Sequence, residues 1–182
     1  MQHPHWPVFE MVTVAAPPGT SLALPSLRVP RSYFVYQVDD HLSPLATRDR
    51  PNLLRFGSHL PTSIFCLDVI SGEVISLSVD RNGQVRDPLF MEFVNSSLEQ
   101  FNRTIEVLIA LFPYDDGNVD DSNVDEDDDY DWQAAAERLS KAVEAVDERV
   151  SMVLPGYWGE FFWDITLGDF ATSEILSPPD RS

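Results

Sequence analysis

Apolar residues recur along this chain at two different periods, and the change comes near residue 95. Ahead of it, short runs rich in aromatic and β-branched residues are divided by turn residues, which is the pattern of strands. "YFVYQV" (33–38) predicts one strand and "NLLRFG" (52–57), ended by Gly57, predicts another. "SIFCLDV" (63–69) and "EVISLSV" (73–79) flank Ile70-Ser71-Gly72, a short hairpin connection with glycine in the turn. Asn82-Gly83 marks a further turn before the chain returns along "LFMEFV" (89–94). Connections this short permit antiparallel pairing and leave no room for parallel crossovers, so the middle of the chain reads as an antiparallel meander.

After Ser97 the period lengthens. Leu98, Phe101, Ile105, Leu108, Ile109 and Phe112 recur at three- and four-residue spacing, predicting an amphipathic helix that Pro113 stops. Ser96 and Glu99, three residues apart at the head of this run, predict a capping box, with Asn95 and Ser97 in the flanking turn. A helix N-terminus can also bind an anion. Here Glu99 would repel one and no glycine-rich loop or lysine accompanies it, so "FVNSSLEQF" (93–101) is read as structural. "DWQAAAERLSKAVEAVDERV" (131–150) predicts a second helix, with Leu139, Val143, Val146 and Val150 on one face. "YWGEFFWDITLGDF" (157–170) reads as a short aromatic helix, with a strand over 161–166 as the alternative and its aromatics assigned to the core.

These elements predict an α+β fold, a twisted antiparallel sheet packed with helices. Residues 1–26, rich in proline, read as an irregular arm with one short strand around Val12. Residues 27–176 read as a single domain and 177–182 as a frayed tail. A chain of 182 residues with 43% apolar residues can bury a real core.

Charge changes the picture. Twelve basic against 30 acidic residues leave a net charge of −18, which argues against nucleic acid or an anionic membrane as the direct partner. A basic protein partner fits better. The stretch "DDGNVDDSNVDEDDDYD" (115–131) holds nine Asp, one Glu and no basic residue, and so supplies −10 of that total. Such a run is commonly a solvated loop. Its functional reading is a set of carboxylates, Asp120, Asp121, Asp125, Glu126, Asp127, Asp128 and Asp129, that meets the basic surface of a partner. Asp121-x-Asn123-x-Asp125 begins like a calcium loop, but Glu126 stands where glycine is required and Trp132 where the bidentate Glu belongs.

Candidate catalytic chemistry is sparse. His3, His5, His41 and His59 belong to no paired motif, and no zinc-type spacing, nucleophile elbow or phosphate loop occurs. Cys66, the single cysteine, cannot form an internal disulfide and reads as a buried small hydrophobe. No catalytic residue, cofactor or metal site is expected. Neither a secretory signal nor a membrane-spanning run of about 20 apolar residues is present, so the cytoplasm is the default compartment.

The order of "FCLDVISGEVISL" (65–77), a turn, then "FVNSSLEQF" and a helix resembles the SUKH superfamily, and most closely its immunity proteins of bacterial polymorphic toxin systems. The similarity covers about residues 27–112, including the leading segment "LRVPRSYFVYQVDDHLSPL" (27–45), with weaker support from the later helix and "FFWDI" (161–165). Asp68, Gly72, Asn95, Ser96, Ser97 and Glu99 carry the motif and look like fold determinants. The resemblance implies a non-catalytic protein that binds and neutralises a cognate toxin, one acting on nucleic acid as a nuclease or deaminase. The alternative is a SUKH-type regulatory or scaffold protein that binds some other basic partner.

Overall fold

The structure is a computed structural model that describes residues 7–19, 24–59, 62–80, 82–86, 90–114, 131–150 and 156–170. Near its start, β1 (Met11–Val14) pairs antiparallel with β2 (Leu27–Pro30) as a two-stranded ribbon. The strand-period half of the chain then builds one six-stranded sheet. Its members are β3 (Ser32–Tyr33), β4 (Tyr36–Leu45), β5 (Leu53–His59), β6 (Ser63–Asp68), β7 (Val74–Ser78) and β8 (Met91–Asn95). They lie side by side in chain order and every pair is antiparallel, so the expected α+β meander is the observed fold.

"YFVYQV" is not one strand. Tyr33 pairs with Tyr36, and Phe34-Val35 turn the chain between β3 and β4. No Gly, Pro or Asn marks that turn, so aromatic and β-branched content alone hid it. The β6–β7 hairpin behaves as its glycine predicts. Gly72 sits at φ 81, and the Asp68 carboxylate accepts from the Ile70 and Ser71 amides at 2.9 and 3.3 Å to brace the turn. Gly57 answers a different need. A Cβ there would stand 2.3 Å from Tyr36 Cε2, so glycine at the β5 bulge is what lets β4 and β5 close on that ring.

Alternation along the central strands buries both faces of the sheet. Leu54, Phe56, Phe65, Val74 and Val94 join the main core with the helices. Leu53, Ile64, Cys66, Ile75, Leu77 and Val79 form a second cluster, with Leu45, Val85 and Met91 packed against it. Cys66 is fully buried there, and burial pushes its thiol up to about 12, which leaves it a packing residue and no nucleophile.

Three helices follow the sheet: α1 (Leu98–Ala110), α2 (Trp132–Glu144) and α3 (Tyr157–Thr166). Phe101, Ile105 and Leu108 of α1 point into the core as their spacing predicts. Tyr36, Phe65, Phe101 and Tyr157 meet ring to ring at centroid separations of 5.2–6.0 Å. The aromatic stretch 157–166 is helical, and Tyr157, Trp158, Phe161 and Phe162 are buried. Trp163 departs from expectation: it lies on the outer face of α3 and is 54% exposed. α2 is also shorter than its periodicity predicts. It ends at Glu144, and the chain turns so that Asp147 and Val150 both point inward. No described helix is long and apolar enough to cross a membrane.

Candidate partner-binding surface

The motif residues assemble two polar junctions inside the fold. At the first, Asn95 at the end of β8 is fully buried and every polar atom of its side chain is used. Its Nδ2 donates to Thr104 Oγ1 and to Asp147 Oδ2, both at 3.2 Å, and its Oδ1 accepts from the Trp158 indole at 3.2 Å. One side chain thereby joins the sheet edge, α1, the segment after α2, and α3. Asp147, only 1% exposed, also accepts from the Ser96 amide at 2.6 Å, the Ser96 hydroxyl at 2.9 Å and the Arg149 amide at 3.2 Å. Its carboxylate stands at the head of α1, where the helix dipole favours negative charge. The anion at this helix N-terminus is supplied by the protein itself.

That arrangement corrects the capping register. The N-cap of α1 is Ser97, whose hydroxyl accepts from the Gln100 amide at 3.2 Å and donates to Gln100 Oε1 at 3.0 Å. Ser96 lies one residue outside the helix, and Asp147 takes the amide that Glu99 was expected to reach. Glu99 is exposed in the first turn. Two consecutive serines, followed at N3 spacing by a Glu and a Gln, satisfy the sequence rule in either register, and the buried Asp147 decides between them.

At the second junction, the Asp68 carboxylate that braces the hairpin also accepts from Arg50 Nη1 at 2.7 Å. Arg50 reaches Glu73 Oε2 at 3.0 Å, and Arg149 reaches Glu73 Oε1 at 2.9 Å. Arg149 also lies over the Phe93 ring, 4.2 Å from its centroid. Burial raises the Asp68 pKa, but the bonds from Arg50 and the two turn amides outweigh it and the net shift is down. The Arg149 bond, helped by Arg50 against burial, likewise holds Glu73 below the usual carboxylate range. Arg149 links the two junctions, since its amide serves Asp147 and its guanidinium serves Glu73. These groups are saturated by one another, so the six motif residues present little unmet chemistry to a partner apart from exposed Glu99.

Beside them runs an open groove of about 660 Å³ between β8 and the start of α3. Glu92, Phe93 and Phe90 line one side, Glu160 and Tyr157 the other, and Arg149 one end. Phe90 is 59% exposed. Burial, and then the nearby charge of Glu160, push the Glu92 carboxyl above its ordinary value, and no cation pairs with either Glu among the described residues. Sequence reasoning missed this pair because it joins a strand to a helix far along the chain, and no local pattern marks either residue. A second groove, beside α1, differs in being balanced: Arg28 and Arg103 offset Glu99 and Glu106.

Asp120, Asp121, Asp125, Glu126, Asp127, Asp128 and Asp129 lie outside the described residues, as does the calcium-like Asp121-x-Asn123-x-Asp125. Two described anchors bracket them. Tyr114 is buried, its hydroxyl meeting that of Tyr33 and donating to Leu108 O at 3.1 Å. Asp131 caps α2, accepting from the Ala134 amide at 2.9 Å. Among the described residues no group of three His, Cys, Asp or Glu side chains could hold a metal ion.

Neither the curated proteins nor the solved structures contain a match to this chain. The family comparison does: the SUKH-4 immunity protein family matches residues 14–164, which includes the whole meander, both polar junctions and nearly all of α3. The chain therefore belongs to the SUKH-4 immunity protein family, a family of immunity proteins and not of enzymes, and that membership implies a cognate toxin as partner.

Proposed function

We propose that this protein neutralises a toxin that acts on nucleic acid, as a nuclease or deaminase, by covering the basic surface with which the toxin holds its substrate. The carrying observation is the charge: −18 overall, of which 115–131 supplies −10 and the remainder −8. A nucleic-acid enzyme must present Lys and Arg to phosphates, and a strongly acidic protein competes for the same surface. Opposite charge also accelerates encounter, an effect that salt screens. The saturated junctions at Asp68 and Asn95 support a division of labour, in which the motif builds the fold and charged surface outside it meets the toxin.

Co-expression with the toxin encoded in the neighbouring reading frame tests the reading. Cells carrying both are expected to survive, while cells carrying the toxin alone die. Replacement of the carboxylates at 125–129 by Asn and Gln is expected to slow association and flatten its salt dependence. Failure of the unaltered chain to protect or to bind would defeat the immunity reading. An unchanged on-rate and salt slope in the neutralised variant would defeat the role of the acidic stretch.

A further inference from the structure

β8 ends the sheet. It pairs with β7 alone, and among the described residues its outer edge makes no backbone hydrogen bond. An unpaired edge presents a row of amides and carbonyls ready to accept another strand, and proteins commonly cover or blunt such edges. This one instead lines the groove beside α3, a space of about 660 Å³. The side chains along it specify what kind. Phe90 offers an exposed apolar contact, while Glu92 and Glu160 present two carboxylates that no described cation neutralises. Among the described residues the one guanidinium at the groove, that of Arg149, is already engaged by Glu73 at 2.9 Å. The groove beside α1 lacks this imbalance, because Arg103 pairs with Glu106 at 3.5 Å and Arg28 lines the same groove as Glu99. Among the described residues, no charged side chain lines the apolar hollow between Leu24 and Val69.

We propose that an extended, basic segment of the cognate toxin adds to β8 as a further antiparallel or parallel strand and places a Lys or Arg side chain between Glu92 and Glu160. The proposal rests on the immunity reading and locates the contact that reading leaves open. Backbone hydrogen bonds to the β8 edge supply affinity without regard to sequence, and the two carboxylates select for a cationic side chain. An arriving cation would offset both the burial and the nearby Glu160 charge that disfavour ionised Glu92.

The test uses the full chain and a catalytically inactivated toxin domain from the neighbouring reading frame. Titration calorimetry compares the unaltered chain, Glu92→Gln with Glu160→Gln, and a control carrying Glu99→Gln with Glu106→Gln on α1. The two double variants are matched in charge, since each removes two carboxylates. The groove variant is expected to weaken binding at least about tenfold, and the control less than about threefold. Hydrogen exchange over residues 90–94 is expected to slow at least about tenfold in the complex, while α1 exchanges as before. Equal losses in both double variants would assign the effect to net charge and overturn the proposal. So would binding by the groove variant within threefold of the unaltered chain, or β8 exchange that the toxin leaves untouched. If the unaltered chain itself fails to bind, the immunity reading falls first and the strand addition with it.

Discussion

Removing the Asp147 carboxylate gives the sharpest test of how this fold is held together. Asp147→Ala deletes the acceptor for four donors: the Ser96 amide, the Ser96 hydroxyl, Asn95 Nδ2 and the Arg149 amide. The four losses are unequal. The Arg149 amide makes only a part-buried bond, so its loss counts in part, and Asn95 keeps Thr104 Oγ1 as an acceptor at 3.2 Å. Ser96 is half-buried and loses both of its bonds, including the shortest of the set at 2.6 Å. A hydrogen bond to a charged group contributes about 1.5–3 kcal/mol, and a stranded donor costs about 1–3 kcal/mol. Counting Ser96 nearly in full and the other two in part gives a loss of roughly 3 kcal/mol. For a chain of this size that corresponds to a fall in Tm of roughly 6–12 °C. Asp147→Asn keeps one acceptor oxygen and so about half of the bonds, predicting a loss of roughly 1.5 kcal/mol. Urea unfolding followed by tryptophan fluorescence measures both, and Trp158, which donates to Asn95, lies at the junction itself. An Asp147→Ala unfolding free energy within about 1 kcal/mol of that of the unaltered chain, at the same m-value, would refute the account of Asp147 as the hub.

Three further outcomes follow from other parts of the structure. Gly57→Ala forces a Cβ to within 2.3 Å of Tyr36 Cε2 and 2.9 Å of Gln37 O, and is expected to cost about 1–3 kcal/mol in the same unfolding assay. A neutral result would mean that β4 and β5 separate freely at the bulge. Cys66, buried and with its thiol pushed up to about 12, is expected to resist iodoacetamide at pH 8 and to label fully in denaturant; rapid labelling of the native chain would contradict its burial. Asp68 and Glu73 both have folded pKa values below their unfolded ones, so their contribution is complete above about pH 4.5 and is lost as pH falls through the folded values. Arg50→Ala should therefore lower stability at neutral pH and narrow its gap to the unaltered chain in acid, which a series of Tm measurements from pH 7 to pH 3 reads directly.

The meander was legible because its information is local: alternating apolar runs, Gly72 and Asn82-Gly83 each act within a few residues. The helices were legible for the same reason, and the family resemblance followed from their order. Three things were hidden, each by a different cause. Phe34-Val35 turn the chain with no turn residue, because the tight pairing of Tyr33 with Tyr36 and the bond from the Tyr157 hydroxyl to Val35 O at 2.9 Å hold them there. Asp147 sits in "EAVDERV" (144–150), where helical spacing continues on paper after the helix has ended, and its purpose depends on Ser96, distant in sequence. Glu92 and Glu160 meet only because α3 packs on β8, so neither could be singled out among 30 acidic residues.

Arg149 uses its backbone for one junction and its side chain for the other, so a single residue couples the hairpin at Asp68 to the helix start at Ser96. Because these ties close on themselves, the scaffold carries its own stability and asks nothing of whatever docks against it. A lineage under pressure from changing toxins can then rewrite its outer faces while the folded state persists.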